Sequence, residues 1–299
     1  MCSAMNEAAP VAPAPRAARR SPAAVERARQ RVLAALALPA LALLAVLFAY
    51  PVLRLMALSV EGGSLAWYAK ALGESLYLEV FWITIRIAII VTLATLVLSY
   101  PVAYFLATTT RLGAALGFAL VILPLWTSIL VRTYAWMVLL GRNGVVNKSL
   151  IAAGVIDEPL ALLHNELGVV IGMVHVLMPY MVLPIYAAMR RVDPDLLQAA
   201  EGLGAGTLRI FRRVFLPLSA QGIYAGCILV FVLSVGFFIT PALLGGGRVI
   251  MIAVLIEQQV RDVLNWSFAS ALASVLLVVT IAIYGLAQRA TGERAGGAA

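Results

Sequence analysis

The sequence predicts an all-α, polytopic membrane protein with six transmembrane helices. Three observations predict it: extreme apolarity, apolar runs of spanning length, and a one-sided distribution of basic residues. Of the 299 residues, 63% are hydrophobic and only 12% are charged, and the mean hydropathy is +0.99. Soluble domains carry about a quarter charged residues, so this chain has too little polar surface to fold in water. Crossing a bilayer core takes roughly 17–25 helical residues, and the segments 32–53, 80–108, 112–140, 167–189, 222–244 and 268–287 meet that length. Each must be helical, because in hydrocarbon a helix satisfies its own backbone polar groups.

Basic residues set the orientation. Arg16, Arg19, Arg20, Arg27, Arg29 and Arg31 precede the first span. Arg111, then Arg190, Arg191, Arg209, Arg212 and Arg213, then Arg289 and Arg294 fall on the same side. The opposite side holds Arg54, Lys70, Arg142, Lys148, Arg248 and Arg261. The positive-inside rule therefore predicts that both termini and the loop 190–217 are cytoplasmic. The net charge of +8 follows from this asymmetry. With no soluble basic domain to carry it, the charge argues against a nucleic-acid partner.

In chain order, 1–31 is rich in Ala, Pro and Arg and predicts a disordered cytoplasmic tail. Residues 32–79 form the first helix and an outward loop, with Trp67, Tyr68 and Tyr77 at headgroup level. The first apolar run is longer than a signal-peptide core and more spans follow, so it predicts an uncleaved helix. The membrane core is 80–288, with a cytoplasmic loop at 190–217 and a short tail at 289–299. The outward loop 141–166 predicts a short helix. The loop 245–267 begins Gly245-Gly246-Gly247 and is too polar at its centre to span, which predicts a helix lying at the outer surface. Pro101, Pro124, Pro179, Pro184 and Pro241 each remove a helical hydrogen bond and predict kinks or breaks, with Pro179 and Pro184 bending one helix.

Catalytic chemistry is not indicated. Cys2 and Cys227 suggest no disulfide, and His164 and His175 suggest no metal cluster. Lys70 and Lys148 do not follow the glycine spacing of a phosphate-binding loop, so ATP hydrolysis within this chain is not expected and no cofactor is called for. An ion-gradient-driven secondary transporter is the alternative class. Such proteins place acidic groups near the bilayer midplane, and the spans as drawn contain no Asp or Glu. A membrane enzyme would need a polar constellation converging at one surface, whereas Arg86, Arg132 and His175 are isolated. Arg86, near the end of its span, is expected to snorkel.

The polar insert 193–217 reads as two short helices around a glycine corner. Asp193 caps the first, Pro194 suits its first turn, and Leu196, Ala200 and Leu203 form an apolar face. Gly204 supplies a positive φ and Gly206 loosens the turn. Thr207 caps the second helix, with Arg209, Arg212 and Arg213 on one face and Phe211, Val214, Phe215 and Leu218 on the other. The arginines are expected to meet inner-leaflet phosphates.

That insert resembles the cytoplasmic coupling loop of permease subunits in binding-protein-dependent ABC importers. Ala199, Ala200, Gly204, Leu216 and Pro217 match the family pattern at its spacing, Val214 replaces an isoleucine, and Gln198 stands where the family has glutamate. The resemblance implies a type I permease fold in a bacterial inner membrane. It also implies two ATP-binding subunits, a second permease subunit and a periplasmic solute-binding protein as partners. Leu196, Gln198, Ala199, Ala200, Gly204, Val214, Leu216 and Pro217 would form the ATPase-coupling loop, with Leu196, Ala199, Ala200 and Gly204 in closest contact. Gln198 removes the charge that a salt bridge to the ATPase would need. The runs LPLWTSILVRTYAWMVLLGRNGVVN, IGMVHVLMPYMVLPIYAAM and GFFITPALLGG resemble the spermidine/putrescine branch. On that reading Trp126, Thr127, Ser128, Arg132, Tyr134 and His175 line the path. Interhelical hydrogen bonding and interfacial anchoring are the competing roles for each of them.

Overall fold

A computed structural model describes residues 22–60 and 65–296, with side chains placed for 32–60 and 65–289. Most of the tail expected at 1–31 lies outside the described residues, but helix α1 (Pro22–Ser59) already begins inside it. The chain divides into two compact units between Arg54 and Leu55. The first is the body of α1, whose Leu36, Leu41, Leu44 and Leu47 are all exposed. A helix apolar on every side suits lipid rather than water.

The second unit is built around three long helices, α3 (Ser75–Thr108), α7 (Glu166–Met189) and α10 (Leu216–Val235). Their shared core includes Ile87 and Val91 from α3, Met173, Leu177, Met181 and Ile185 from α7, and Val230 from α10. Small residues let α10 approach α7 closely, as membrane helices require. A Cβ on Gly222 would lie 2.5 Å from the Pro184 carbonyl oxygen, so no larger residue fits without moving a helix. A second cluster joins α2 (Ala66–Gly73), the start of α3, α12 (Ile252–Arg261) and α13 (Trp266–Gly296). Phe268 is its centre, 4.9 Å from the Tyr77 ring and 5.6 Å from Trp67. Thr84 Oγ1 ties α12 to α3 by accepting from the Ile252 N–H at 2.8 Å.

Among the described residues, five helices are long and apolar enough to span a membrane, and six spans result if one bent pair counts as one. That pair corrects the single span expected at 112–140. Helix α4 (Arg111–Trp126) stops, Thr127 and Ser128 are non-helical, and α5 (Ile129–Leu140) resumes. The chain turns by 102° between 111–126 and 129–152. Pro124 has no N–H and cannot continue the ladder. Thr127 closes the helix end on the Pro124 carbonyl, which accepts from its N–H at 3.2 Å and from its hydroxyl at 2.8 Å.

The segment expected at 222–244 also differs. Its helix begins earlier and ends at Val235, and a separate turn, α11 (Ile239–Leu244), follows Gly236. Pro241 sits in the first turn of α11, where a missing N–H costs least. Pro101, Pro179 and Pro184 by contrast lie inside unbroken helices. The loop expected at 141–166 does contain a short helix, α6 (Val145–Ala152), and α12 buries Ile252 and Val254 while Arg261 stays exposed. Among the described residues two carboxylates fall inside the spans as the structure gives them, Glu79 in α3 and Glu166 in the first turn of α7. Glu166 forms an ion pair with Arg86, so Arg86 is paired across helices, which the snorkelling expectation missed.

Candidate coupling element and polar break

The insert 193–217 folds as a capped helix, a tight corner and a second helix fused to a membrane span. In α8 (Pro194–Gly202), Asp193 Oδ1 accepts from the Asp195 N–H at 3.0 Å, and Pro194 takes the first helical position. The C-terminus closes with two bonds. Ala205 N–H donates to the Ala200 carbonyl at 3.0 Å and Gly204 N–H to Glu201 at 2.9 Å. This 6→1 and 5→2 pairing needs a left-handed residue at the corner, and Gly204 supplies it with φ +77°. The helix is therefore stopped by its own backbone, with no other element required to hold the corner.

Helix α9 (Thr207–Ile210) is capped by Gly206 rather than by Thr207. Gly206 has extended geometry, and its carbonyl accepts from Arg209 and Ile210 at 2.8 and 3.0 Å. The following Phe211–Phe215 is π-helical, with the Leu216 N–H bonded to the Phe211 carbonyl. Pro217 explains the widening: its ring and missing N–H disrupt the α-helical bond to Arg213, and one extra residue per turn relieves the conflict. Helical structure then continues, so Thr207–Val235 forms a span of 29 residues.

The π turn resets which face is buried. Ile210 and Phe215, five residues apart, are buried, followed by Ser219, Gly222, Gly226 and Val230. Phe211 and Val214 are half-buried as expected, but Leu218 is exposed, correcting its place on the inner face. The widened turn is fixed to α3 by edge-on aromatic contacts. Tyr104 lies 5.7 Å from Phe211 and 5.2 Å from Phe215, and Tyr100 lies 5.9 Å from Phe211. The Tyr100 hydroxyl also reaches Ser219 Oγ at 3.2 Å.

On α8, Leu197 and Ala200 turn inward, and Leu197 packs against the core with Val192 and Phe211. Leu196, Gln198, Ala199 and Gly204 are exposed, and Leu203 is 89% exposed. The expected apolar face of Leu196, Ala200 and Leu203 is therefore split. Ala200 faces the bundle, and the two leucines stand free on the outside. Leu197 and Ile210, which hold the element down, were not singled out from the sequence, although Leu197 lies one turn before Ala200 plus Glu201. Arg209, Arg212 and Arg213 border a concave surface of about 550 Å³ with Gly206, Thr207 and Leu208. Leu216 and Pro217 are exposed.

The second polar region is the break before α5. Trp126, Thr127, Ser128 and Tyr134 are all exposed, with Trp126 at 85%. Arg132 turns the other way. Its Nε and Nη1 are buried and have no hydrogen-bond partner among the described residues. Tyr180 and His175 on α7 lie within reach of its charge. Trp136 Nε1–H donates to His175 Nδ1 at 3.1 Å, which leaves the ring proton on Nε2. Thr133 faces Thr240 Oγ1 at 3.3 Å, joining α5 to α11. The structure thus brings Arg132 and His175 together, whereas Trp126 and Tyr134 lie on exposed surface. Thr240 and Tyr180 carried no sequence signal, because proximity across helices has no local spacing.

Residues 110–295 match the family described as Binding-protein-dependent transport system inner membrane component. The chain is 38% identical over 212 residues to the Spermidine/putrescine transport system permease protein PotB of Haemophilus influenzae, covering 70% of this chain and 74% of that one. It is 34% identical over 215 residues to the Inner membrane ABC transporter permease protein YdcU of Escherichia coli, covering 67% of each. A bacterial alginate ABC transporter crystallised with an alginate pentasaccharide-bound periplasmic protein contains a chain of similar fold. Its TM-score is 0.73 at 17% identity, covering 89% of this chain and 95% of that one.

Proposed function

Because the chain belongs to the binding-protein-dependent transport system inner-membrane components, we propose that it works as the permease subunit of an ATP-driven importer for a polyamine or a similar small solute. The observation that carries the mechanism is mechanical. A short helix, closed at both ends by its own hydrogen bonds, presents Leu196, Ala199 and Leu203 outward and continues through one corner into the span 207–235. Force applied to α8 passes through Leu197, Phe211 and the aromatic contacts to α3, and along α10 to the tightly packed α7. A floppy loop would absorb such a displacement.

On this reading two ATP-binding subunits dock from the cytoplasm, each receiving one coupling element, and the second element comes from a second permease subunit. A periplasmic solute-binding protein delivers solute to the opposite face. Both termini are cytoplasmic, following the arginine distribution. Gln198 is exposed and uncharged, so docking rests on apolar fit and the glycine corner rather than on an ion pair at that position. The two carboxylates within the described spans do not favour gradient coupling, since Glu166 is answered by Arg86 and Glu79 sits in the first turns of α3. The polyamine assignment follows the spermidine/putrescine relatives. Specificity would lie mainly in the binding protein.

Deleting 196–204 tests this reading. Expected are normal membrane insertion, no copurifying ATPase subunit, and no ATP-dependent uptake. Retained copurification and uptake would defeat it.

A further inference from the structure

Arg132 is the least explained charge in the described bundle. The ion pairs among the described residues are Arg86–Glu166 and Arg261–Glu257, and neither answers it. Arg132 is half-buried, with Nε and Nη1 turned inward and unpaired, and removing part of a charge from water is worthwhile only when an opposite charge or acceptor meets it. Tyr180 offers a neutral phenolic oxygen within reach of its charge, but the neighbours supply no opposite charge, and Nε and Nη1 remain without a partner among the described residues. Trp136 and His175 consume each other's donor and acceptor, so the group that His175 has left to offer is an N–H. Thr133 and Thr240 are engaged with each other and with the Ile129 carbonyl. The region therefore holds a cation and the His175 N–H with no counter-charge, one turn beyond a 102° break in the helix path. Breaks of this kind within a membrane are tolerated where they line a cavity or another protein chain.

We propose that Arg132, with His175 beside it, is an anion site that receives a carboxylate. Two sources could present that group: an acidic side chain of the second permease subunit, or an acidic solute on its way through. The inference rests on the importer reading and adds a constraint to it. A protonated polyamine offers N–H donors and no acceptor, so it cannot satisfy Arg132. If the solute is a polyamine, the carboxylate comes from the neighbouring subunit and also offsets a charge that would repel the cargo.

The test uses the whole transporter, purified in detergent with its second permease and ATPase, as wild type, R132Q and R132K. Thermal unfolding is followed without solute in sodium chloride and in sodium acetate of equal ionic strength, and uptake is measured after reconstitution with the binding protein. If the carboxylate arrives with the solute, acetate raises the midpoints of wild type and R132K over chloride and leaves R132Q unmoved. Uptake by R132Q then falls about tenfold to a hundredfold, the range expected for a lost hydrogen bond to a charged group. If the second permease supplies it, acetate has no effect, R132Q lowers the midpoint of the assembled complex, and R132K recovers most of the loss because it keeps the charge. The proposal is overturned if R132Q equals wild type in both salts. It is equally overturned if R132K is as unstable as R132Q while acetate leaves wild type unmoved. The thermal readout needs no transport, so a wild-type complex without ATP-driven uptake would count against the importer reading alone.

Discussion

Replacing Gly204 separates conformation from contact at the corner of the coupling element. Its φ of +77° lies in the left-handed region, and a Cβ built there meets nothing within 4 Å. Any penalty within this chain is therefore backbone strain, about 1–2 kcal/mol for an ordinary L-residue and larger for a β-branched one. Because α8 is short and local, that strain loosens the corner rather than the bundle, raising the population of opened corners about 5–30-fold. Asparagine tolerates this conformation better than alanine, and alanine better than valine. ATP-dependent uptake in proteoliposomes should follow Gly, Asn, Ala, Val in descending order, with equal membrane insertion for all four. If Gly204→Asn is as damaging as Gly204→Val, the corner matters through space needed by a partner, not through its geometry. Wild-type uptake by Gly204→Val would refute the strain argument.

Gly222→Ala forces a methyl to 2.5 Å from the Pro184 carbonyl and 2.6 Å from Ala188 Cβ, and overpacking of this kind costs about 1–3 kcal/mol. Its thermal midpoint in detergent should drop, while Gly202→Ala, which meets nothing, should match wild type. Tyr104→Ala removes edge-on contacts to Phe211 and Phe215, each worth about 0.5–1.5 kcal/mol. Protease cleavage around 205–215 should accelerate, and Tyr104→Phe should restore protection because it keeps the ring. The Arg86–Glu166 pair is partly exposed, and such pairs contribute about 0–1 kcal/mol. Glu166→Gln should therefore leave the midpoint within a few degrees of wild type, and a large loss would mean the pair is buried in the assembled transporter.

Much of the helical layout was legible because apolar runs of spanning length have few alternatives in lipid. The ends of α8 were legible too, since Asp193, Pro194 and Gly204 each act through local backbone chemistry. The errors share a different origin. Pro124, Pro179 and Pro184 look alike in sequence, yet only the first stands in the last turn of its helix, where the Thr127 N–H and hydroxyl both close on its carbonyl. Pro179 and Pro184 lie in α7, which runs unbroken through both while packed in the core of the bundle. The π turn at Phe211–Phe215 shifted every later side chain, which is why Leu218 was assigned to the wrong face and Ser219 was missed. No periodicity rule anticipates one inserted residue. Arg132 and His175 were recognisable as polar residues in apolar runs, but their convergence depends on the packing of α5 against α7. The exposure of Trp126 and Tyr134 depends on the same packing.

The central claim is that the outer face of α8 seats in an ATP-hydrolysing partner. A photo-crosslinking residue in place of Leu203, the most exposed side chain of the element, tests it in native membranes. The account predicts a covalent adduct with the ATP-binding subunit whose yield changes when ATP is added. An adduct with lipid alone, or none from any outward position of α8, would contradict it.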